Sequence, residues 1–187
     1  MKVHYDEELQ NLKFTAESIA VEYETCKFIN CDFSELDLRD ISFEECSFNG
    51  CNFTNVKIKN TAFKNVQFAD CKLLGFHFTN ANRFLLELDF VNCQLDYASF
   101  YQLKLPKLRF RDCSLKDVDF VEADLSGGTF DGCDLYAATF ERTNLSGVDF
   151  RTAKNYNLDP EINTITRAKF SVQGLVGLLD KYKLQIT

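Results

Sequence analysis

Residues 26–53 read CKFINCDFSELDLRDISFEECSFNGCNF, with a Phe or Leu at every fifth position from Phe28 onward. The period continues through Ile58 to Phe78, slips by two residues, and resumes from Leu85 to Phe150. These 25 positions hold 15 Phe, nine Leu and one Ile, and none of them is polar. A five-residue period matches neither the 3.6-residue period of a helix nor the alternation of a strand. It indicates an internal repeat that builds a solenoid.

A second repeated position lies two residues before each Phe or Leu and is mostly Cys, Ala, Val, Thr or Gly. The other three positions of each pentad are largely polar, so two residues in five are expected to point inward. Four pentads would make one square coil of about 20 residues. After the slip Phe and Leu alternate strictly. This predicts Phe on two opposite faces of the rod and Leu on the other two, with small side chains filling the corners.

Over residues 21–150 this pattern resembles that of the pentapeptide-repeat family. The resemblance implies an all-β fold, a right-handed quadrilateral β-helix with short strands on its faces and tight turns at its corners. Coils about 4.8 Å apart would give a rod about 30 Å long. We expect residues 1–20 to form an N-terminal cap segment. The two-residue slip near residues 79–84 should form a small bulge with Phe84 and Leu86 partly exposed.

The composition is typical of one domain, with 187 residues, a net charge of −7 and 45% hydrophobic residues. Residues 1–14 lack the apolar stretch of a secretory signal. No apolar run approaches the roughly 18 residues that span a membrane. These features predict a cytoplasmic protein that does not enter the membrane.

The eight cysteines suggest a metal site or a disulfide framework as alternatives to a structural role. No CxxC pair occurs, and the only histidines are His4 and His77. Side chains stacked on parallel strands have Cβ atoms about 4.8 Å apart, too far for a relaxed disulfide. The pattern therefore predicts buried structural thiols, with no metal site and no cofactor. All eight occupy the small inward position, namely Cys26, Cys31, Cys46, Cys51, Cys71, Cys93, Cys113 and Cys133.

Motifs of catalysis are missing from the sequence. It contains no G-x-S-x-G, no H-E-x-x-H and no glycine-rich phosphate loop. Carboxylates are plentiful, but the outward positions of the repeat must be polar in any case. His4 and His77 are interpreted as ordinary exposed or packed histidines. We therefore expect no catalytic residues and a protein that is not an enzyme.

Charge along the chain is banded, with a basic segment at residues 104–116 followed by an acidic one at 117–134 that has no Lys or Arg. One interpretation is simply a solvated surface. The other is a negative surface that imitates the phosphates of a DNA duplex and attracts a basic protein groove, without the chain itself binding nucleic acid. The candidate partner-binding residues are Asp117, Asp119, Glu122, Asp124, Asp131 and Asp134.

Residues 151–187 depart from the repeat. We predict a turn-rich excursion at Asn155–Asn163, one last face at Ala168–Phe170, and a short helix after Ser171 as N-cap, followed by a strand. The apolar stripe of this segment would cap the open end of the solenoid by folding onto it, or form a two-fold dimer interface, which is the interpretation we favour. The candidate interface residues are Leu175, Leu178, Leu179, Tyr182, Leu184 and Ile186.

The stretch DPEIN at Asp159–Asn163 and the closing apolar strand resemble the tail of immunity proteins against a gyrase-targeting microcin. The wider similarity is to the Qnr and MfpA-like quinolone-resistance proteins. This resemblance implies a homodimeric, DNA-mimicking rod that binds a type II topoisomerase, DNA gyrase or topoisomerase IV, and protects it from quinolone or microcin-like poisons. The alternative is a general interaction scaffold whose partner recognises the bulge or the basic segments. The slip is much shorter than the loop insertions of Qnr proteins, which weakens the analogy for protection more than that for binding.

Overall fold

The computed structural model describes residues 3–185 of the chain. Its helix α1 (Val176–Leu179) lies between 3-10 turns at Gln173–Leu175 and Asp180–Tyr182, and another 3-10 turn spans Phe78–Asn80. Within residues 3–185, no helix is long and apolar enough to cross a membrane. The strands are β1 (Val3–Tyr5), β2 (Glu8–Gln10), β3 (Glu22–Glu24), β4 (Lys27–Ile29), β5 (Ser42–Glu44), β6 (Ser47–Asn49), β7 (Ala62–Lys64), β8 (Val66–Ala69), β9 (Leu88–Val91), β10 (Arg109–Arg111) and β11 (Thr129–Asp131).

These strands form two parallel sheets on adjacent faces of a four-sided β-helix. One sheet has the order β1-β3-β5-β7, and the other has the order β2-β4-β6-β8-β9-β10-β11. Single parallel bridges continue the pairing on the remaining faces. We name the faces after the inward residues of one coil: face A carries Phe110, face B Leu115, face C Phe120 and face D Leu125. The predicted quadrilateral β-helix is thus confirmed.

Parallel pairing also includes the segment expected to be an N-terminal cap. Strand β1 pairs with β3 through His4↔Tyr23, and β2 pairs with β4 through Leu9↔Phe28. The His4 ring stacks on Tyr23 at 5.2 Å between ring centroids, as a core residue would. Residues 3–20 therefore form a first coil, and the end of the rod is closed by a layer of its own repeat.

Stacked aromatic rings fill the interior, as the alternation of Phe and Leu predicts. Phe110 stacks on Phe130 with ring centroids 5.2 Å apart on face A, and Phe100 stacks on Phe120 at 5.2 Å on face C. The two columns meet edge to face, with the Phe110 and Phe120 centroids 6.0 Å apart at 73°. Offset and edge-on contacts of this kind add about 0.5–1.5 kcal/mol per pair to the burial of apolar area.

The corners of each coil explain the polar composition of the outward positions. Most corners have one residue with a left-handed backbone. Among residues 3–185, 24 residues other than glycine adopt this conformation, including Lys183 at the end of the helical segment. Asn and Asp tolerate this conformation best, because their short polar side chains hydrogen-bond locally. An Asp or Asn just before an inward residue also accepts a hydrogen bond from the backbone two residues on, as Asp32 does from Ser34 N at 3.0 Å and Asp149 from Arg151 N at 3.1 Å. Many acidic residues are therefore required by the turns.

The slip occurs on face D and corrects one sequence-based prediction. The 20-residue register holds to Ala62↔Asn82, whereas Val66↔Leu88 is a 22-residue pairing. Leu85, which the five-residue count assigned to the core, is 62% exposed, so that prediction is wrong. The two extra residues do not fit between close-packed columns and are extruded as a bulge. Phe84 is 70% exposed and Leu86 is half-buried, so the prediction of a bulge is confirmed.

The excursion at 155–163 adds no residue to the coil, since Asp134↔Lys154 and Asn144↔Thr164 both keep the 20-residue register. Tyr156 and Leu158 are buried in the core. The side chain of Asn163 is buried and closes the loop: its amide donates to Phe140 O and Asp159 O, both at 2.9 Å. The DPEIN stretch thus has a structural role in the last coil.

A helical segment follows Ser171 as predicted, but it starts as a 3-10 turn and α1 itself begins at Val176. No strand follows it within the described residues. Ser171 Oγ accepts a hydrogen bond from Gly174 N at 3.0 Å. Lys183 adopts a left-handed conformation with φ +50°, which ends the helical segment. Leu184 lies in irregular structure, so the predicted strand is wrong as far as Gln185. A two-residue alternation is a weak signal, and a strand that finds no hydrogen-bonded neighbour is not stable alone. Ile186 lies outside the described residues.

Candidate interaction surfaces

The six candidate acidic residues do not share one face of the rod. Because about 20 residues complete a coil, an acidic run of 18 residues winds around all four faces. The bridges Asp119↔Thr139, Asp124↔Asn144 and Asp134↔Ser114 assign these carboxylates to faces C, D and B. Asp131 lies on face A, opposite face C, through the pairing of β10 with β11. Asp117 and Glu122 are at the corners that border face C.

A smaller acidic surface remains on face C, and one of its members was missed in the sequence. Asp117, Asp119 and Glu122 are joined there by Glu141 of the next coil, whose carbonyl accepts from Glu122 N at 2.8 Å. Glu141 fell outside the acidic run because Arg142 follows it. Position 141 lies one 20-residue coil after Val121, which is on face C, so the repeat period places Glu141 on the same face. We call these four residues the face C acidic surface.

Hydrogen bonds fix two of these carboxylates. Asp119 Oδ1 accepts from Val121 N at 2.9 Å, the corner contact that recurs along the rod. Glu122 accepts from Gln102 Nε2 at 2.6 Å and from Arg142 Nη2 at 2.6 Å. Gln102 first and Arg142 second hold the pKa of Glu122 below its usual range. The carboxylate stays ionised at neutral pH, and Arg142 offsets part of its field.

Asp134 and Asp131 serve mainly in contacts between coils. Asp134 accepts from Asn155 Nδ2 at 2.7 Å and pairs with Lys116 at 3.4 Å. Partial burial alone would raise the pKa of Asp134, but these contacts outweigh it and the pKa lies below its usual range. Asp131 Oδ1 accepts from Thr152 Oγ1 at 2.7 Å. Both carboxylates are stabilised by their own rod.

A second acidic surface lies on face D at the N-terminal end, where the winding brings together residues of three coils. Glu22 and Glu24 are exposed on β3, and Glu24 is directly paired with Glu44 on β5. Lys64 on β7 lies 2.8 Å from Glu44 and is the cation paired with it. The exposed Glu45 borders the same surface.

The C-terminal helix presents apolar side chains to solvent. Leu178 packs partly against the core of its own rod, whereas Leu175, Leu179, Tyr182 and Leu184 are 37–57% exposed. Val172 and Val176, which were not among the candidates, are 81% and 52% exposed. The helix is held on the last coil by Leu158 N, which donates to Gly177 O at 3.0 Å, and by Lys181, which pairs with Asp159 at 2.8 Å. The candidate interface residues therefore divide between an inner and an outer side.

The cysteines form two buried columns, with six residues at the corner before face B and Cys26 with Cys46 at the corner before face A. All eight are buried, so the predicted inward location is confirmed. The two trios expected from the 20-residue spacing join into one column of six, because the Lys72↔Gln94 bridge continues across the slip. Their thiols contact backbone carbonyls of the preceding coil, such as Cys71 Sγ to Phe48 O at 3.4 Å. Burial raises the pKa of Cys46 to about 12. Among residues 3–185 no cluster of His, Cys, Asp and Glu could hold a metal ion.

Fold and surfaces together define a class of protein: a repeat rod with a hydrophobic interior and with charged and apolar surfaces exposed to solvent. The family model described as a pentapeptide repeat region matches residues 21–100 and 63–150. The chain belongs to the pentapeptide-repeat family. No curated protein sequence matches the chain.

Solved structures share the fold at low sequence identity. A trypsin-treated variant of QnrB1, a plasmid-mediated fluoroquinolone resistance protein, is 21% identical with a TM-score of 0.61, and the match covers 100% of both chains. HetL, a pentapeptide repeat protein involved in heterocyst differentiation regulation from the cyanobacterium Nostoc, is 16% identical with a TM-score of 0.70. That match covers 91% of this chain and 88% of HetL.

Proposed function

We propose that this protein is a non-enzymatic, DNA-mimicking regulator that binds a type II topoisomerase in the cytoplasm and protects it from quinolone or microcin-like poisons. The observation that carries the proposal is the face C acidic surface, which has four carboxylates and one guanidinium, that of Arg142. A rigid negative rod attracts a basic DNA-binding groove over long range. The full-length likeness of fold to QnrB1 supports this function by analogy.

The proposal includes a homodimer formed through the outer side of the C-terminal helix. Leu175, Val176 and Leu179 are exposed on this side. The helix packs on the last coil, which follows the coil of Glu141. Two-fold pairing of such a surface covers the same apolar residues in both copies. It would double the length of the negative rod and bring the two acidic surfaces to either side of the dimer centre.

The test is a gyrase supercoiling assay over a titration of this protein, with and without a fluoroquinolone. Restored supercoiling in the presence of the drug would support protection, and inhibition without the drug would support competition with DNA. No effect in either arm would overturn the topoisomerase proposal. Raising the salt concentration should weaken the effect, because surface charges separated by more than a Debye length are screened.

A matched pair of variants separates the acidic surface from net charge. The test variant carries Asp117→Asn, Asp119→Asn and Glu122→Gln, and we expect it to lose the effect on gyrase. Asn at position 119 still accepts the hydrogen bond from Val121 N, so the corner is kept. The control carries Glu22→Gln, Glu24→Gln and Glu45→Gln on face D, with the same change in charge, and should retain the effect. Equal loss in both would contradict a role for face C.

A second candidate function is an interaction scaffold in a regulatory process. It is favoured by the likeness to HetL and by the exposed bulge at 83–86. Full function of the face C variant in the cell, together with no effect of the wild-type protein on gyrase, would favour this candidate.

A further inference from the structure

The bulge exposes a phenylalanine side chain to solvent. The sequence has 19 Phe residues, and Phe84 alone among them is exposed, at 70%. The neighbouring Leu85 is 62% exposed. These two adjacent apolar side chains are not buried in the core, so they do not stabilise the rod by removing apolar surface from water. Exposed apolar groups concentrated in this way are typical of protein-interaction sites.

The backbone of the bulge is held in place on both sides. Phe84 N donates to Asn82 Oδ1 at 2.9 Å, and Asn82 Nδ2 donates to Asn60 Oδ1 at 3.1 Å in the coil below. On the other side Glu87 N donates to Phe63 O at 3.2 Å. The apolar tip is therefore presented by a fixed structure, which lowers the entropy lost when a partner binds.

Leu85 also has a left-handed backbone, with φ +55°. Elsewhere on the rod this conformation is mostly taken by Asn, Asp or Gly, which adopt it at lower cost. An exposed Leu at such a position stabilises neither the turn nor the core. Thr25, Tyr97, Ala137 and Arg142 adopt the same conformation at ordinary corners, so the backbone of Leu85 is that of a normal turn.

A groove adjoins the bulge at the corner between faces D and A. Its volume is about 670 Å³, and its lining includes Leu86, Leu88, Leu105, Pro106 and Leu108. An apolar side chain from a partner can enter this groove while the bulge packs against the partner's surface.

The cations around the bulge indicate the charge of the partner. Arg83, Lys104 and Lys107 are exposed, and none of them forms an ion pair with another described residue. Arg109 in the groove is already paired with Asp89. Glu87 is the carboxylate that lines the groove. Asp124 of the next coil pairs with Lys104 through the backbone, so three cations outside ion pairs face two carboxylates, Glu87 and Asp124. The excess of one cation gives this patch a positive sign on a chain of net charge −7.

We propose that the bulge and groove bind an acidic protein segment that carries aromatic or aliphatic side chains. The acidic groups would pair with Arg83, Lys104 and Lys107, and one apolar side chain would fill the groove. A nucleic acid fits less well, because its phosphates make no favourable contact with an apolar groove and are repelled by the acidic rod. This site lies on face D and borders the face C acidic surface, because Arg83 Nη1 donates to Gln102 O at 3.4 Å and Gln102 Nε2 donates to Glu122 Oε2 at 2.6 Å.

Selection from a phage-displayed library of random 12-residue peptides tests the proposal. The library is selected on the full-length wild-type protein and depleted on the variant Phe84→Ser with Leu85→Asn. Asn is well suited to the left-handed position, so this variant should fold; its unfolding midpoint in urea is measured to check. We expect enrichment of peptides rich in Asp and Glu with at least one Phe, Tyr, Leu or Ile. Enrichment of basic peptides, or none that distinguishes the two proteins, would overturn the proposal.

Fluorescence anisotropy then measures affinity for the enriched peptides in synthetic form. We expect at least a tenfold weaker affinity for Phe84→Ser with Leu85→Asn, and also for Lys104→Glu with Lys107→Glu. The face C variant, in which Asp117, Asp119 and Glu122 are neutralised, should bind at least as tightly as the wild type, because it loses negative charge beside an acidic ligand. Tighter binding of a single-stranded oligonucleotide than of any enriched peptide would overturn the proposal in favour of nucleic acid. An unchanged affinity in either bulge variant would also contradict it.

Discussion

Phe120 is a typical inward residue of this fold. Its side chain is fully buried, and its ring stacks between Phe100 and Phe140 with centroids 5.2 Å and 5.1 Å away. Edge-to-face contacts join it to Phe110 and Phe130. Because neighbouring coils are held in register by hydrogen bonds on every face, the rod cannot collapse around a missing ring. Each inward Phe is therefore individually important for stability.

We expect Phe120→Ala to lower the free energy of unfolding by about 3–5 kcal/mol, since it removes buried apolar area and leaves a cavity. Chemical denaturation in urea measures the change. Phe84→Ala is the matched control, because its ring lies in solvent and its loss should change stability by less than about 0.5 kcal/mol. A loss below about 1 kcal/mol for Phe120→Ala would contradict the close packing of the interior.

Because its thiols are buried, the protein should lose stability as the pH becomes alkaline. Burial raises the pKa of Cys46 to about 12, above the value near 8.5 of an unfolded cysteine. Deprotonation is thus easier in the unfolded chain, and the stabilising contribution of the neutral thiol is lost as the pH rises between these two values. We expect the unfolding free energy to fall with pH in this window more steeply than in Cys46→Ala, by up to about 1.4 kcal/mol per pH unit. Equal slopes would refute this.

At the scale of the element, the C-terminal helix depends on small residues to reach the last coil. A Cβ on Gly177 would lie 2.8 Å from Tyr156 Cδ2 and still closer to the Tyr156 carbonyl oxygen. The helix touches the backbone of the excursion at this point. Its inner side is thus fixed by contact with its own rod, and its outer apolar side is left for a partner.

We expect Gly177→Ala to displace the helix and break the hydrogen bond from Leu158 N to Gly177 O. Hydrogen exchange at the Leu158 amide reports this, and its protection should fall by at least about tenfold, which corresponds to about 1.4 kcal/mol. Gln173→Ala is the control, since Gln173 is exposed on the same segment. Unchanged exchange in Gly177→Ala would mean that the helix tolerates the side chain.

The outer side of the helix has its own test. Leu175→Asp with Val176→Asp should give monomers in sedimentation, because two buried charges at a two-fold interface face their symmetry copies. Leu178→Ala, which changes a residue packed on the rod, should reduce stability and leave the assembly intact. A dimer that survives the Asp variant, or a wild type that is monomeric at every concentration, would contradict the proposed interface.

At the scale of the whole molecule, the rod is a one-dimensional stack in which each coil contacts only its neighbours. Stability in such a stack is approximately a sum of coil and interface contributions. The central coils have a neighbour on both sides, whereas the first coil at residues 3–20 and the last at 155–170 have one.

Hydrogen exchange should therefore follow position along the rod. We expect the slowest amides at Phe100–Phe120 and the fastest in β1, β2 and the segment 173–182, with rates differing by at least about a hundredfold. Mass spectrometry of peptides after timed exchange measures the profile. A uniform profile would indicate that the rod opens only as one cooperative unit.

The sequence by itself determined the interior of this protein. Its five-residue period identified the inward residues and predicted the columns of Phe110 and Phe120, because the chemistry of a pentad is local and repeats without change. The location of the bulge was also predictable, since a break in period must be absorbed near Arg83. The tertiary structure alone decided which outward residues share a surface. Asp131 and Asp119 are only 12 positions apart in sequence, yet the winding of the chain places them on opposite faces. Glu141 is 22 positions from Asp119 and lies on the same face in the next coil. The tertiary structure also decided that Leu85 is extruded, because that depends on whether neighbouring coils leave room for two more residues.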